Sequence, residues 1–148
     1  MMRGTKYLIV AAFAGALFAC NEPIPDADVQ AAKQAIAQAE SAKADKYDPD
    51  NLSKAKEAYR DSLKRIADSD TGNARDAALD ARRIADLATD NSRKKVAEDT
   101  TASAEKMIRE AIDRKAEYLA ADDLARARAK LEDAKNALDQ KKWLEAFT

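Results

Sequence analysis

The chain has 148 residues, no histidine and one cysteine, with 26 Lys and Arg against 27 Asp and Glu, for a formal net charge of −1. That inventory excludes the usual zinc, iron and copper ligand sets, Cys–His and Ser–His catalysis and any disulfide within the chain, and the lack of basic excess offers nothing to nucleic acid. Charged residues make up 36% and aromatics 5%, so the core is thin and rests on alanine, the best helix former and a residue that buries little area.

Arg3 and Lys6 open the chain, followed by an apolar run from Tyr7 to Phe18. A run of about a dozen residues is too short to cross a bilayer and reads as a secretory signal. It ends in Leu17-Phe18-Ala19-Cys20, which resembles the lipobox of bacterial lipoproteins. Ala19 is the small residue before the cut, and Cys20 supplies the thiol that takes a diacylglyceryl group before cleavage and an N-acyl chain after it. The resemblance implies that residues 1–19 are a signal peptide and that the membrane is a partner through the lipid on Cys20. Losing Arg3 and Lys6 leaves 24 basic against 27 acidic residues, a mature net charge of −3. Asn21 is not the Asp that resembles the inner-membrane retention signal of enteric bacteria, so the outer membrane, facing the periplasm, is expected.

Residues 20–25 hold Pro23 and Pro25 and form an extended tether. A helical domain over 26–148 follows. Asp26 caps a first helix with Val29, Ala32, Ile36 and Ala39 on one face, which runs to about Lys46. In the turn Tyr47-Asp48-Pro49-Asp50-Asn51-Leu52, Asp48 is the cap, Pro49 takes the first helical position, and Tyr47 and Leu52 form a hydrophobic staple. The second helix carries Leu52, Ala55, Tyr59, Ser62 with Leu63, and Ile66 on one stripe, antiparallel to the first. It ends in Asp68-Ser69-Asp70-Thr71-Gly72-Asn73, with Gly72 in a left-handed conformation and Asn73 capping the next helix. The acidic spacing there misses the calcium-loop pattern, which wants glycine and glutamate where Asn73 and Leu79 stand.

From Asn73 onward there is neither glycine nor proline. Ala74, Ala85, Val96, Met107 and Tyr118 recur every eleven residues, flanked by Ala78, Thr89, Thr100 and Ala111 and by Ala81, Ser92 and Ser103. This spacing predicts one nearly straight helix to about Tyr118, roughly 65 Å long, with a narrow seam of small residues; the alternative is a break near Asn91, in the weak stretch Thr89–Ser92, that yields two small bundles, with Thr100-Thr101 a second weak place. The seam serves the packing of the chain's own short helices, and Ala97 lies off it. Glu105 with Arg109 and Glu110 with Arg114 read as solvated pairs one turn apart.

After a turn near Leu119–Asp123, the second-helix stripe returns. Leu52, Ala55, Tyr59, Ser62 and Ile66 align with Leu124, Ala127, Leu131, Ala134 and Leu138 at a shift of 72, and Tyr47 with Tyr118 at 71. The chain therefore reads as two related helix-turn-helix units, about 27–88 and 104–146, the last helix of one fused to the first of the next. Trp143 and Phe147, one turn apart, cap the end of the preceding helix, the alternative being an anchor for a partner. The expected fold is all-α, with elongated antiparallel helical hairpins packed on one long central helix.

The Ala39-Glu40-Ser41-Ala42 rhythm, the Tyr-x-Pro-x-x-Leu turn from Tyr47 to Leu52 and the alanines after it resemble a family of envelope lipoprotein domains of unknown function, over about 27–88 and more weakly 104–146. Some of that family precede a peptidoglycan-binding domain, which has no counterpart here. The seam is also similar to that of the major murein lipoprotein, whose terminal lysine is replaced by Thr148. The expectation is a lipid-anchored protein that is not an enzyme and takes no cofactor, metal or small-molecule substrate. Its role is that of a spacer or scaffold whose helical surfaces meet other envelope proteins. The alternative is an accessory subunit of an exporter or a carrier of an apolar ligand, which needs a cavity that alanine-rich seams leave little room for.

Overall fold

The computed structural model describes residues 25–142; the expected signal peptide over 1–19, Cys20 and the Trp143–Phe147 stretch lie outside the described residues. Within them the fold is all-α, in the order α1 (Asp26–Ser41), α2 (Ala44–Tyr47), α3 (Pro49–Ala67), α4 (Thr71–Asp113), α5 (Ala116–Leu119) and α6 (Ala121–Asp139). The first 20 or so residues of α4 complete a three-helix bundle with α1 and α3. Its last 20 or so form a two-helix hairpin with α6.

The first helix stops earlier than its composition suggests. Pro25 stands at the cap position and Asp26 is the first helical residue; α1 ends at Ser41, not near Lys46, because Lys43 turns left-handed (φ 64°) and α2 restarts at Ala44. Asp48 caps α3 as its sequence implies, with Pro49 in the first turn, while the Tyr47 ring reaches across to α4, donating its hydroxyl to Asp99 at 2.8 Å. Leu52, Ala55 and Ser62 are buried on α3, with Tyr59 and Ile66 packed beside them; Leu63 faces outward.

The α3–α4 turn corrects two expectations. Ser69, not Gly72, is left-handed (φ 62°), and its flanking amides close the turn: Ser69 donates to the Ile66 carbonyl and Asp70 to that of Arg65. That is a Schellman closure made without glycine. Gly72 lies inside α4, and the cap is Asp70, whose carboxylate accepts from the Asn73 side chain at 2.8 and 2.9 Å.

α4 runs unbroken for 43 residues, about 65 Å, through Thr89–Ser92 and Thr100-Thr101, and stops at Asp113 rather than Tyr118. Thr89 and Thr100 fold their hydroxyls back onto the Ala85 and Val96 carbonyls, so their polar groups do not compete with the helix elsewhere. The eleven-residue rows hold over the first unit, where Ala74 and Ala85, Ala78 and Thr89, and Ala81 and Ser92 are all buried, and fail beyond it, where Val96, Thr100, Ser103 and Met107 are not. Through Ala88 the buried positions also step alternately by four and three, from Ala74, Ala78, Ala81, Ala85 and Ala88 to Ser92, and Ala97 and Thr101 follow after a step of five. Steps of four and three are a seven-residue repeat, the pattern of helices that coil left-handedly about one another. The step of five falls where the partners change, from α1 and α3 to α6. Ala97, expected off the seam, is fully buried against Ala137, whereas Met107 is 60% and Tyr118 87% exposed.

Repetition of the backbone is close. α2, α3 and their boundaries recur as α5 and α6 exactly 72 residues on, and the left-handed residues Lys43 and Ser69 recur as Lys115 and Lys141. The turn hydrogen bonds repeat too: Lys115 to Ile112 answers Lys43 to Glu40, and Lys142 to Ala137 answers Asp70 to Arg65. In this register Tyr47 corresponds to Leu119, not to Tyr118.

Candidate functional site

The two units differ in what covers them. In the first, the larger apolar residues Val29, Ile36, Leu52, Tyr59 and Ile66 of the α1–α3 hairpin pack on the all-small stripe of α4. Side chains no larger than threonine let α4 approach closely, and the largest fully buried ones are Ser62 and Ser92. In the second unit the equivalent positions are Thr101, Ile108, Leu124, Leu131 and Leu138. No third helix among the described residues lies on them.

What remains is an apolar groove of about 500 Å³ along α4 and α6. Thr101, Ala104 and Ile108 line it from α4, and Leu124, Ala127 and Leu131 from α6. Met107 stands exposed on its edge, and Leu119 near its end is 82% exposed. Thr101 is buried, and its hydroxyl has no hydrogen-bond partner, a state that costs about 1–3 kcal/mol. α6 buries only Leu124 and Ala137, whereas α1 buries five residues. The expectation of little room thus holds for the closed first unit and fails for the second.

Charged residues fasten the rims. Glu105 holds Lys135 across the hairpin at 2.7 Å, besides Arg109 on its own helix at 3.7 Å. Hydrogen bonding to Lys135 and the Lys135 charge, with a lesser contribution from Arg109, hold the Glu105 carboxyl below its ordinary pKa against desolvation, and Lys135 is raised reciprocally. Arg128 reaches back to Glu117 at 3.0 Å, and Arg126 pairs with Asp123. Glu110 pairs with Lys106 at 3.8 Å, one turn behind it rather than ahead.

The first unit carries a polar latch that the second lacks. Asp48 accepts from the side chains of Asn51 (2.9 Å) and of Asn91 on α4 (2.7 Å), while Lys95 donates to the Tyr47 carbonyl at 3.2 Å. Burial pushes the Asp48 carboxyl up, but the Asn51 and Asn91 hydrogen bonds and the Lys95 charge outweigh it and leave its pKa below the ordinary value. At the equivalent position stands Ala120, with no side-chain cap. The start of α6 therefore has no counterpart of the Asp48 cap.

Cys20, the one site residue named from sequence, lies outside the described residues. No group of three or more His, Cys, Asp and Glu is placed to hold a metal among the described residues, and no helix there is long and apolar enough to cross a membrane. In the Asp68–Asn73 turn the Asp70 carboxylate is taken by Asn73 and Arg65. The groove was not legible as a site in sequence, because its residues repeat those of the closed first unit. No protein-family model, curated protein or solved structure matches the chain.

Proposed function

We propose that the chain is a bacterial envelope lipoprotein, acylated on Cys20 and held by the outer membrane on its periplasmic side, acting as a spacer that carries a helical docking face away from the bilayer. The observation that carries this reading is the continuous 43-residue α4. α1 begins at Asp26, six residues after Cys20, and runs parallel to the start of α4, where Asp28 pairs with Arg75 at 3.1 Å. The groove lies at the other end of α4, about 40–60 Å from that base. A slender rod with its apolar face at the far end suits holding a protein partner at a set distance.

The alternative, an exporter's accessory subunit or an apolar-ligand carrier, draws on the same groove. Its open length and the helix that fills its twin favour a helical occupant. Metabolic labelling with an alkyne palmitate analogue tests the anchor: wild type takes up label and sediments with membranes, and Cys20→Ala does neither. Label on Cys20→Ala, or none on wild type, refutes it.

A further inference from the structure

We infer that the segment Trp143–Thr148, which follows the described residues, turns back as the start of a third helix of the second unit and closes one end of the groove, with Phe147 seated against Thr100 of α4. The occupant of that end is thus the chain itself.

The exit from α6 copies the exit from α3. Asp68 (φ −83°, ψ 4°) and Gln140 (φ −82°, ψ 3°) follow the two helices, and left-handed Ser69 (φ 62°) and Lys141 (φ 58°) come next. The closing hydrogen bonds agree as well: Asp70 donates to the Arg65 carbonyl at 2.9 Å, and Lys142 to the Ala137 carbonyl at 2.8 Å. Because φ and ψ are the only soft dihedrals of the backbone, the chain leaves Lys142 on the course that carries it from Asp70 into α4. On that course, among residues 71–76, Ala74 alone is fully buried. Seventy-two residues on, the same place holds Ala146.

A second correspondence fixes the contact. Arg75 reaches Asp28 on α1 at 3.1 Å, and the counterparts of these two residues are Phe147 and Thr100. Both members of the ion pair lose their charge together. Thr100 lines the groove, and its hydroxyl is spent on the Val96 carbonyl at 2.8 Å, which leaves its methyl for an apolar neighbour. A phenylalanine at the place of Arg75 supplies one and removes its own ring from water. The segment holds neither glycine nor proline, and Glu145 in its first turn suits a helix N-terminus. Six helical residues span about 9 Å, which covers Thr100 and Thr101 and leaves Ile108, Leu124 and Ala127 farther along the groove. A consequence that rests on the docking role proposed above is that a partner helix enters from the α5 end.

Crosslinking of the purified full chain tests the packing, in a Cys20→Ala background so that the introduced thiols are the only ones, with circular dichroism to check folding. A short bismaleimide is expected to join Thr100→Cys to Phe147→Cys about tenfold faster than it joins Ala102→Cys, exposed elsewhere on α4, to Phe147→Cys. Trp143 is the one tryptophan of the chain, so its fluorescence reports on the segment with no substitution near it; acrylamide is expected to quench it about twofold more slowly in the folded chain than in urea. Equal crosslinking at positions 100 and 102, no crosslink at 100, or a Trp143 quenched as fast folded as unfolded each overturns the inference. None of these outcomes bears on acylation or on the binding of a partner, which are tested separately.

Discussion

Replacing alanine by leucine at three positions of α4 separates the seven-residue stripe from the eleven-residue one. Ala85 and Ala97 have no exposed surface and sit against neighbouring helices, Ala85 among α1 and α3 and Ala97 against Ala137; Ala102, on the same helix, is exposed. Leucine at a closed site must displace a helix backbone or leave its favoured rotamer, at about 1–3 kcal/mol. At Ala102 the change stays within about 0.5 kcal/mol. For a helical domain of this size 1 kcal/mol moves the melting temperature by about 3–6 °C. Ala85→Leu and Ala97→Leu are therefore expected to melt about 3–18 °C below wild type by ellipticity, and Ala102→Leu to melt with it. Urea titrations check that the slope with denaturant is unchanged, so that the shift reports stability. The outcome that refutes the reasoning is a silent Ala97→Leu beside a destabilised Ala85→Leu. That is what the eleven-residue seam requires.

Three further expectations concern local geometry. Gly72→Ala should stabilise by up to about 1 kcal/mol, because Gly72 is helical, and Ser69→Gly should also stabilise by relieving a left-handed serine; loss of stability at Gly72 would show the turn to be misplaced. Asp48→Ala should cost about 0.5–2 kcal/mol as a lost cap. Since the Asp48 pKa is depressed on folding, that contribution is present above its unfolded pKa and disappears as pH falls through the lower folded value, so the gap between wild type and Asp48→Ala should close in acid; a gap independent of pH argues against the charged latch. Spin labels at Arg75 and Arg109, thirty-four residues apart on α4, should lie about 50 Å apart by pulsed measurement. A distribution centred well below that would break the rod.

The all-helical fold, the hairpin turn at Asp48-Pro49 and the 72-residue repetition were legible in the sequence because each rests on local chemistry. Capping, the fixed φ of proline and the recurrence of Leu, Ala and aromatic positions need no knowledge of a partner. The lipobox reading likewise rests on adjacent residues. The period of the α4 stripe was not legible, since in an alanine-rich helix small residues fall in register with seven and eleven alike. Which of them are buried depends on where α1, α3 and α6 lie against the helix, and the change of partner between Ser92 and Ala97 shifts the stripe. Left-handed turns at Lys43, Ser69, Lys115 and Lys141 escaped the sequence for a related reason: helix packing selects that conformation against the preference of lysine and serine, while Gly72, which could adopt it freely, lies within a helix. The groove too is a product of tertiary structure. Its residues repeat those of a closed core, and only the placement of the helices decides that one copy is covered and the other open.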